Sequence, residues 1–319
     1  MINRLLIVFV CLFAFASCGD EPSGNGGGGG GNPDPEPGKD PVLVTVKVLE
    51  YCPAPGQFVN EIPEYEEGDT YNDILKKAEE YINDQTPVTL GSLGGYVVLK
   101  LDSPVANVEG EYDFRVLGNA FYGAGSGESN RGGSAEPGMI YVMSDDNGNG
   151  LPDDMWYEIA GSVPSEQITT ESIIYHRPEQ EETGEVTDGY ITNKNYIRWN
   201  TGNETGYLMK ITEHTQSYYP LWNEDAVINF TNVRRLPDNT VYNEETKQYF
   251  LKAWEYGYAD NHPNNTDGSK IKIDWAVDAA GKQVKLAKID FIKVVSATLK
   301  FNGLMGETST EVAGIQSFN

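Results

Sequence analysis

Residues 42–49 alternate apolar and polar side chains, the period of two that a half-buried strand requires. Residues 96–101, 112–117, 139–143, 156–160, 196–199 and 250–254 are short runs rich in aromatic and β-branched residues, which fit a pleated surface. Ile271, Ile273, Trp275 and Val277 keep the same alternation, and 289–299 supplies one or two further strands. Clusters of Gly, Pro, Asn and Asp separate these runs. One segment has helical spacing instead. Ile74, Leu75, Ala78, Tyr81 and Ile82 fall on one face and Lys76, Lys77, Glu79 and Glu80 on the other, with Asp69 or Thr70 as cap and Pro87 as a limit. The pattern predicts an all-β body, a two-sheet β-sandwich or jelly roll with one short helix.

The first 40 residues read differently. Arg4 precedes an apolar run from Leu5 to Ala16, and the small residues Ala16 and Ser17 stand directly before Cys18. A basic start, an apolar middle too short for a comfortable membrane span and a small-residue cleavage site describe a secretory signal. Phe15-Ala16-Ser17-Cys18 resembles a lipoprotein signal box, which implies that the Cys18 thiol is acylated and becomes the new N-terminus. Residues 22–40 are then Gly, Pro, Asn, Ser and acidic residues, a composition that buries no apolar area. The expected organisation is a signal peptide over 1–17, a lipidated flexible tether over 18–40 and one ligand-binding body over 41–319. Acid at Asp20 and Glu21, just after the cysteine, resembles the surface-export signal of Bacteroidetes lipoproteins. It implies an outer-membrane protein that faces the medium.

Charge narrows the partners. The chain carries 48 acidic against 23 basic side chains, a formal charge of −25. That balance disfavours nucleic acid and a second, electrostatic contact with anionic lipid, and it suits divalent cations. With Cys11 in the signal and Cys18 lipidated, Cys52 has no internal disulfide partner and reads as a small packed side chain. His176, His214 and His262 have no zinc-motif spacing.

One phrase carries metal chemistry. Residues 145–154 read Asp-Asp-Asn-Gly-Asn-Gly-Leu-Pro-Asp-Asp. With Asp145 as position 1, oxygen side chains stand at Asp145, Asn147, Asn149 and Asp153, Gly150 takes the sharp turn and Leu151 offers its carbonyl. The order resembles the calcium loops of thrombospondin type 3 repeats. Trp156 stands where the closing carboxylate belongs, so Asp154 or Glu158 has to replace it. The expectation is a structural calcium ion pinning a hairpin; Asn-Gly also makes a plain polar turn.

Aromatic residues in loop-like surroundings suggest recognition. Tyr218, Tyr219 and Trp222 flank Pro220, and Trp254, Tyr256 and Tyr258 precede Asp260, Asn261 and His262. Rigid rings beside amide and carboxylate groups suit a sugar face, a flat macrocycle or a protein partner. Core packing is the competing reading for 254–258. As sequence neighbours in an extended segment, Tyr218 and Tyr219 would point opposite ways, so at least one is expected at the surface.

Several phrases together, 51–60, 90–99, 112–121, 135–138, 156–162, 289–294 and 306–312, resemble a family of Bacteroidetes cell-surface lipoproteins of the PKD-domain-associated type. The likeness spans about residues 48–315. It implies a surface lipoprotein beside an outer-membrane transporter, with vitamin B12 uptake as the setting and a corrinoid (cobalamin) as the ligand. The functional expectation is non-catalytic ligand capture. The alternatives are a calcium-dependent carbohydrate-binding protein, a structural or adhesive surface protein, and a glycoside hydrolase, for which the 48 acidic residues offer carboxylate pairs but no placement.

Overall fold

The computed structural model describes residues 40–123, 131–181, 186, 189–244 and 247–319. The signal segment, Cys18 and the tether lie outside the described residues. Among the described residues, no helix is long and apolar enough to cross a membrane.

Every strand pair is antiparallel. The largest sheet runs β16(Ala276–Val277), β9(Tyr157–Ile159), β8(Gly138–Met143), β17(Lys288–Ser296), β4(Tyr96–Ala106), β2(Val46–Cys52). A second holds β12(Thr205–Ile211), β11(Ile191–Asn200), β10(Thr169–His176) and β13(Val227–Arg235). A third holds β14(Thr240–Asn243), β15(Gln248–Lys252), β7(Gly132–Ser134) and β6(Phe121–Tyr122). A fourth joins β1(Val42–Val44), β19(Gly314–Ser317) and β5(Phe114–Leu117), and β18(Glu311–Val312) pairs with β3(Val88–Thr89) as a ribbon.

The all-β class is as predicted, but the two-sheet sandwich or jelly roll is not. Four small antiparallel sheets take the place of four propeller blades. They are not sequential repeats, because β17 from near the end of the chain lies between β4 and β8. Strand-like runs encode which faces are apolar, not which strands pair, so the arrangement was not legible from periodicity. Two runs are also corrected locally. Residues 42–49 break at Thr45 into β1 and β2, which join different sheets. The alternation over 271–277 is mostly a 3₁₀ turn, Ile273–Trp275, leading into β16.

The helix α1 (Tyr71–Asn83) forms as the spacing requires. Thr70 caps it and the Asp73 carboxylate returns to the Thr70 N–H, a reciprocal capping box worth about 1 kcal/mol. Ile74, Ala78 and Ile82 are buried against Val48, Leu99 and Ile315 in one apolar core, which also holds Ile140, Ile292 and Val294. A second core gathers Tyr175, Tyr196, Tyr218, Tyr219, Tyr258 and Phe230 beside the four-stranded β10 sheet. Between them passes the tight segment around Gly91 (φ +65°), where an added Cβ would fall 1.9 Å from the Ala54 carbonyl oxygen.

Candidate functional site: an aromatic cleft beside β13

The predicted aromatic platform does not form. Tyr218 and Tyr219 are both fully buried, since residues 218 and 219 lie in a bend rather than an extended strand. Each phenol finds a backbone carbonyl instead of solvent, His214 O for Tyr218 (3.2 Å) and Asp225 O for Tyr219 (2.9 Å). Burial pushes the Tyr219 hydroxyl up to about 12. Tyr258 is buried and accepts from the Val163 N–H at 3.2 Å.

Asp260, Asn261 and His262 are also buried, and they act as pins. Asn261 holds Trp254 through both its backbone N–H (2.8 Å) and its carbonyl (3.0 Å). The His262 Nε2 donates to the Glu255 carbonyl at 3.1 Å, and Nδ1 pairs with the Tyr122 hydroxyl at 2.7 Å. Tyr256 reaches the surface but leans on Trp275, with centroids 4.7 Å apart. Trp254 lines a small separate cleft with Arg131, Asp238 and Lys252. The nine predicted contact residues therefore do not converge.

Trp222 is the exception. It is half-buried, stacks on Tyr51 (6.3 Å, 25°) and leans on Tyr65. It lines a cleft of about 470 Å³ with Tyr51, Cys52, Tyr71, Tyr96, Pro220 and Phe230 as floor and Asn223, Glu224, Asp225 and Asn229 as polar rim. Asn60 sets Trp222 in place. Its Nδ2 donates to Ser217 O (2.7 Å) and Tyr219 O (3.0 Å), and its Oδ1 accepts from Leu221 N–H (2.9 Å). Tyr96 donates to Glu50 at 2.8 Å, and the Lys293 ammonium lies 4.1 Å over the Tyr96 ring. Burial lowers the Lys293 ammonium and raises the Cys52 thiol, so Cys52 is a poor nucleophile here.

Val227 also borders a second, wider cleft of about 800 Å³. His176, Arg177, Asn193, Asn195, Arg198 and Tyr207 line it. Arg177 lies 4.3 Å over the Tyr219 ring and donates to the Asp225 and Asn223 carbonyls, which fixes the ridge between the two clefts. Sequence reading missed this site because its floor comes from β2, β4, β13 and α1, which no local pattern joins.

The loop over 145–154 connects β8 to β9 as a turn held by its own side chains, and the carboxylates of Asp145, Asp153 and Asp154 do not all lie within 4.8 Å of one another. Asp145 accepts from the Asn149 and Gly150 N–H groups, and Asp153 accepts from the Asn147 and Asn149 side-chain amides, which lower its carboxyl. Asn149 Oδ1 accepts from the Leu151 N–H, and Asp154 takes the Asp146 and Asn147 N–H groups. Lys100 donates to the Gly150 carbonyl at 3.2 Å, a positive charge already at the loop. Glu158 is not part of the set: it sits in β9 and faces Arg234 Nε at 3.3 Å.

A different carboxylate group was invisible in the sequence. Glu136, Asp260 and Glu311 offer oxygens that all lie within 4.8 Å of one another. Asp260 accepts from the Asn119, Ala120 and Glu311 N–H groups, which offset part of its burial and leave it pushed up to about 6. Burial, then the neighbouring carboxylates, holds Glu136 and Glu311 well above the usual carboxylate range. Burial raises Glu307 to about 8.

Compared with known proteins, the chain matches no family model and no curated protein sequence.

Proposed function

We propose that this chain is a lipid-anchored capture protein whose ligand docks in the Trp222 cleft and extends past Val227 into the Asn- and Arg-lined cleft beside it. The observation that carries the reading is an open apolar floor of aromatic rings ringed by amide and carboxylate groups, continuous with a second polar cleft. Ring faces dock on the floor, and the rim pairs with hydroxyl or amide groups. The chemistry fits a neutral, ring-bearing ligand too large for either cleft alone: a corrinoid with its carboxamide arms, as the resemblance implies, or an oligosaccharide. Acid at Glu224 and Asp225 disfavours an anionic ring at the Trp222 end.

The test is calorimetric titration of the detergent-solubilised full-length protein with cyanocobalamin and, separately, with neutral oligosaccharides. The expected result is saturable binding of one of the two, weakened about tenfold or more, ~1.4 kcal/mol, in Trp222→Ala. Binding that Trp222→Ala leaves unchanged removes the cleft from the reading. No heat with either ligand at millimolar concentration moves the protein to the structural or adhesive class.

A further inference from the structure

We infer that Glu136, Asp260 and Glu311 form a binding site for one divalent metal ion, calcium by its chemistry, apart from both the cleft and the loop over 145–154. Three elements bring the ligands together. Glu136 stands two residues before β8, Asp260 two residues after the buried Tyr258, and Glu311 begins β18. Backbone bonds lock them: Glu136 N–H donates to Asp260 O at 3.0 Å, and Glu311 N–H to Asp260 Oδ2 at 3.0 Å.

Charge balance is the difficulty this arrangement leaves. Asp260 and Glu311 are 3% and 1% exposed, and Glu307, 2% exposed, is close enough to act on both Glu136 and Glu311. Among the described residues no lysine or arginine forms an ion pair with any of the four. Uncompensated buried carboxylates cost several kcal/mol each, so the group must either hold protons or share a cation.

A second observation points to what is missing. Glu311 Oε1 is taken by the Thr89 and Ser309 hydroxyls, but Glu311 Oε2 receives no donor, and neither does the buried Glu307 Oε2. A buried Glu311 oxygen without a donor, on a residue grouped with two other carboxylates, suits a cation. The donor set is oxygen alone, which selects a hard ion. Twice the calcium–oxygen distance is about 4.6–5.2 Å, so oxygens within 4.8 Å of one another can share one calcium ion. Glu136 is only half-buried and gives the ion its route in.

The experiment uses chelator-stripped, detergent-solubilised full-length protein, titrated with calcium chloride to about 1 mM and followed by calorimetry and melting temperature. Glu311→Gln and Glu136→Gln keep shape and remove charge, so each should fold without metal. Asp153→Asn is the control in the hairpin loop. The expected result is a calcium-dependent rise in melting temperature in the wild type and in Asp153→Asn, with affinity weakened on the order of tenfold or more in each Gln variant. Three results overturn the site. One is no calcium response in the wild type, with the Gln variants more stable than it, which is the behaviour of carboxyls that share protons. Another is a response that both Gln variants retain. The third is a response lost only in Asp153→Asn, which assigns the ion to the loop.

Discussion

Replacing Asn60 tests how the cleft is held open. Asn60 is 7% exposed, adopts φ +79°, and makes three side-chain bonds to Ser217, Tyr219 and Leu221, the segment that leads into Trp222. Each bond contributes about 1 kcal/mol net. The Tyr219 carbonyl keeps a weaker donor, Ser217 Oγ at 3.3 Å, while the Ser217 carbonyl and Leu221 N–H lose their side-chain partner. Asn60→Gly should therefore cost about 2–4 kcal/mol, with no added backbone penalty because glycine accepts positive φ. Asn60→Ala loses the same bonds and keeps the left-handed Cβ without the side-chain bonds that let asparagine hold it there, so it should cost about 1 kcal/mol more than Asn60→Gly. Urea unfolding of the two variants separates the terms. Against a total of roughly 5–15 kcal/mol both should still fold, with weaker ligand binding because Trp222 is no longer held. Asn60→Gly within about 0.5 kcal/mol of wild type would refute the three-bond reasoning. An Asn60→Ala no worse than Asn60→Gly would refute the backbone part.

Two further outcomes follow from single residues. Glu307 has its folded-state carboxyl raised to about 8, so it holds a proton that the unfolded chain has already released above about pH 4.3. Its stabilising share is full below that pH and is lost as pH rises to about 8; Glu307→Gln should flatten the profile, and urea midpoints at pH 5, 7 and 9 that run parallel to wild type would contradict this. Cys18→Ala should move the protein from the membrane fraction to the soluble fraction, whereas continued partitioning with detergent would remove the lipid anchor.

The sequence spoke clearly where the cause is local. The helix was legible, with its cap narrowed to Asp69 or Thr70, because spacing and capping act within a few residues. Although β10, β12 and β13 were missed, the strands of the largest sheet were found for the same reason. Sheet order was not, since nothing in residues 288–296 records that they lie between β4 and β8. The aromatic residues failed on geometry. The rule that neighbours point opposite ways holds for extended chain, and Tyr218 and Tyr219 sit in a bend with both rings inward. Of the aromatic residues singled out, Trp222 lines this cleft, but its companions Tyr51, Tyr71, Tyr96 and Phe230 come from distant segments. The loop over 145–154 showed its turn in advance because it is one short phrase. The three-carboxylate group spans residues 136 to 311 and could not be seen that way.

The position of β17 also governs how this chain reaches its native state. β4 and β8 are made early, but the strand that joins them is made near the end, and β19 likewise arrives last to join β1 and β5. Until then each partial chain carries two bare strand edges, the kind that pair wrongly with other chains. Closing contacts over such distances is slow, so the largest sheet is completed late, after the β10–β13 sheet has all its strands. A chain released short of residue 288 leaves β4 and β8 unjoined, although the β10–β13 sheet lies wholly within it, and one that stays extended until its last strand emerges can be threaded through a narrow channel without first being unfolded.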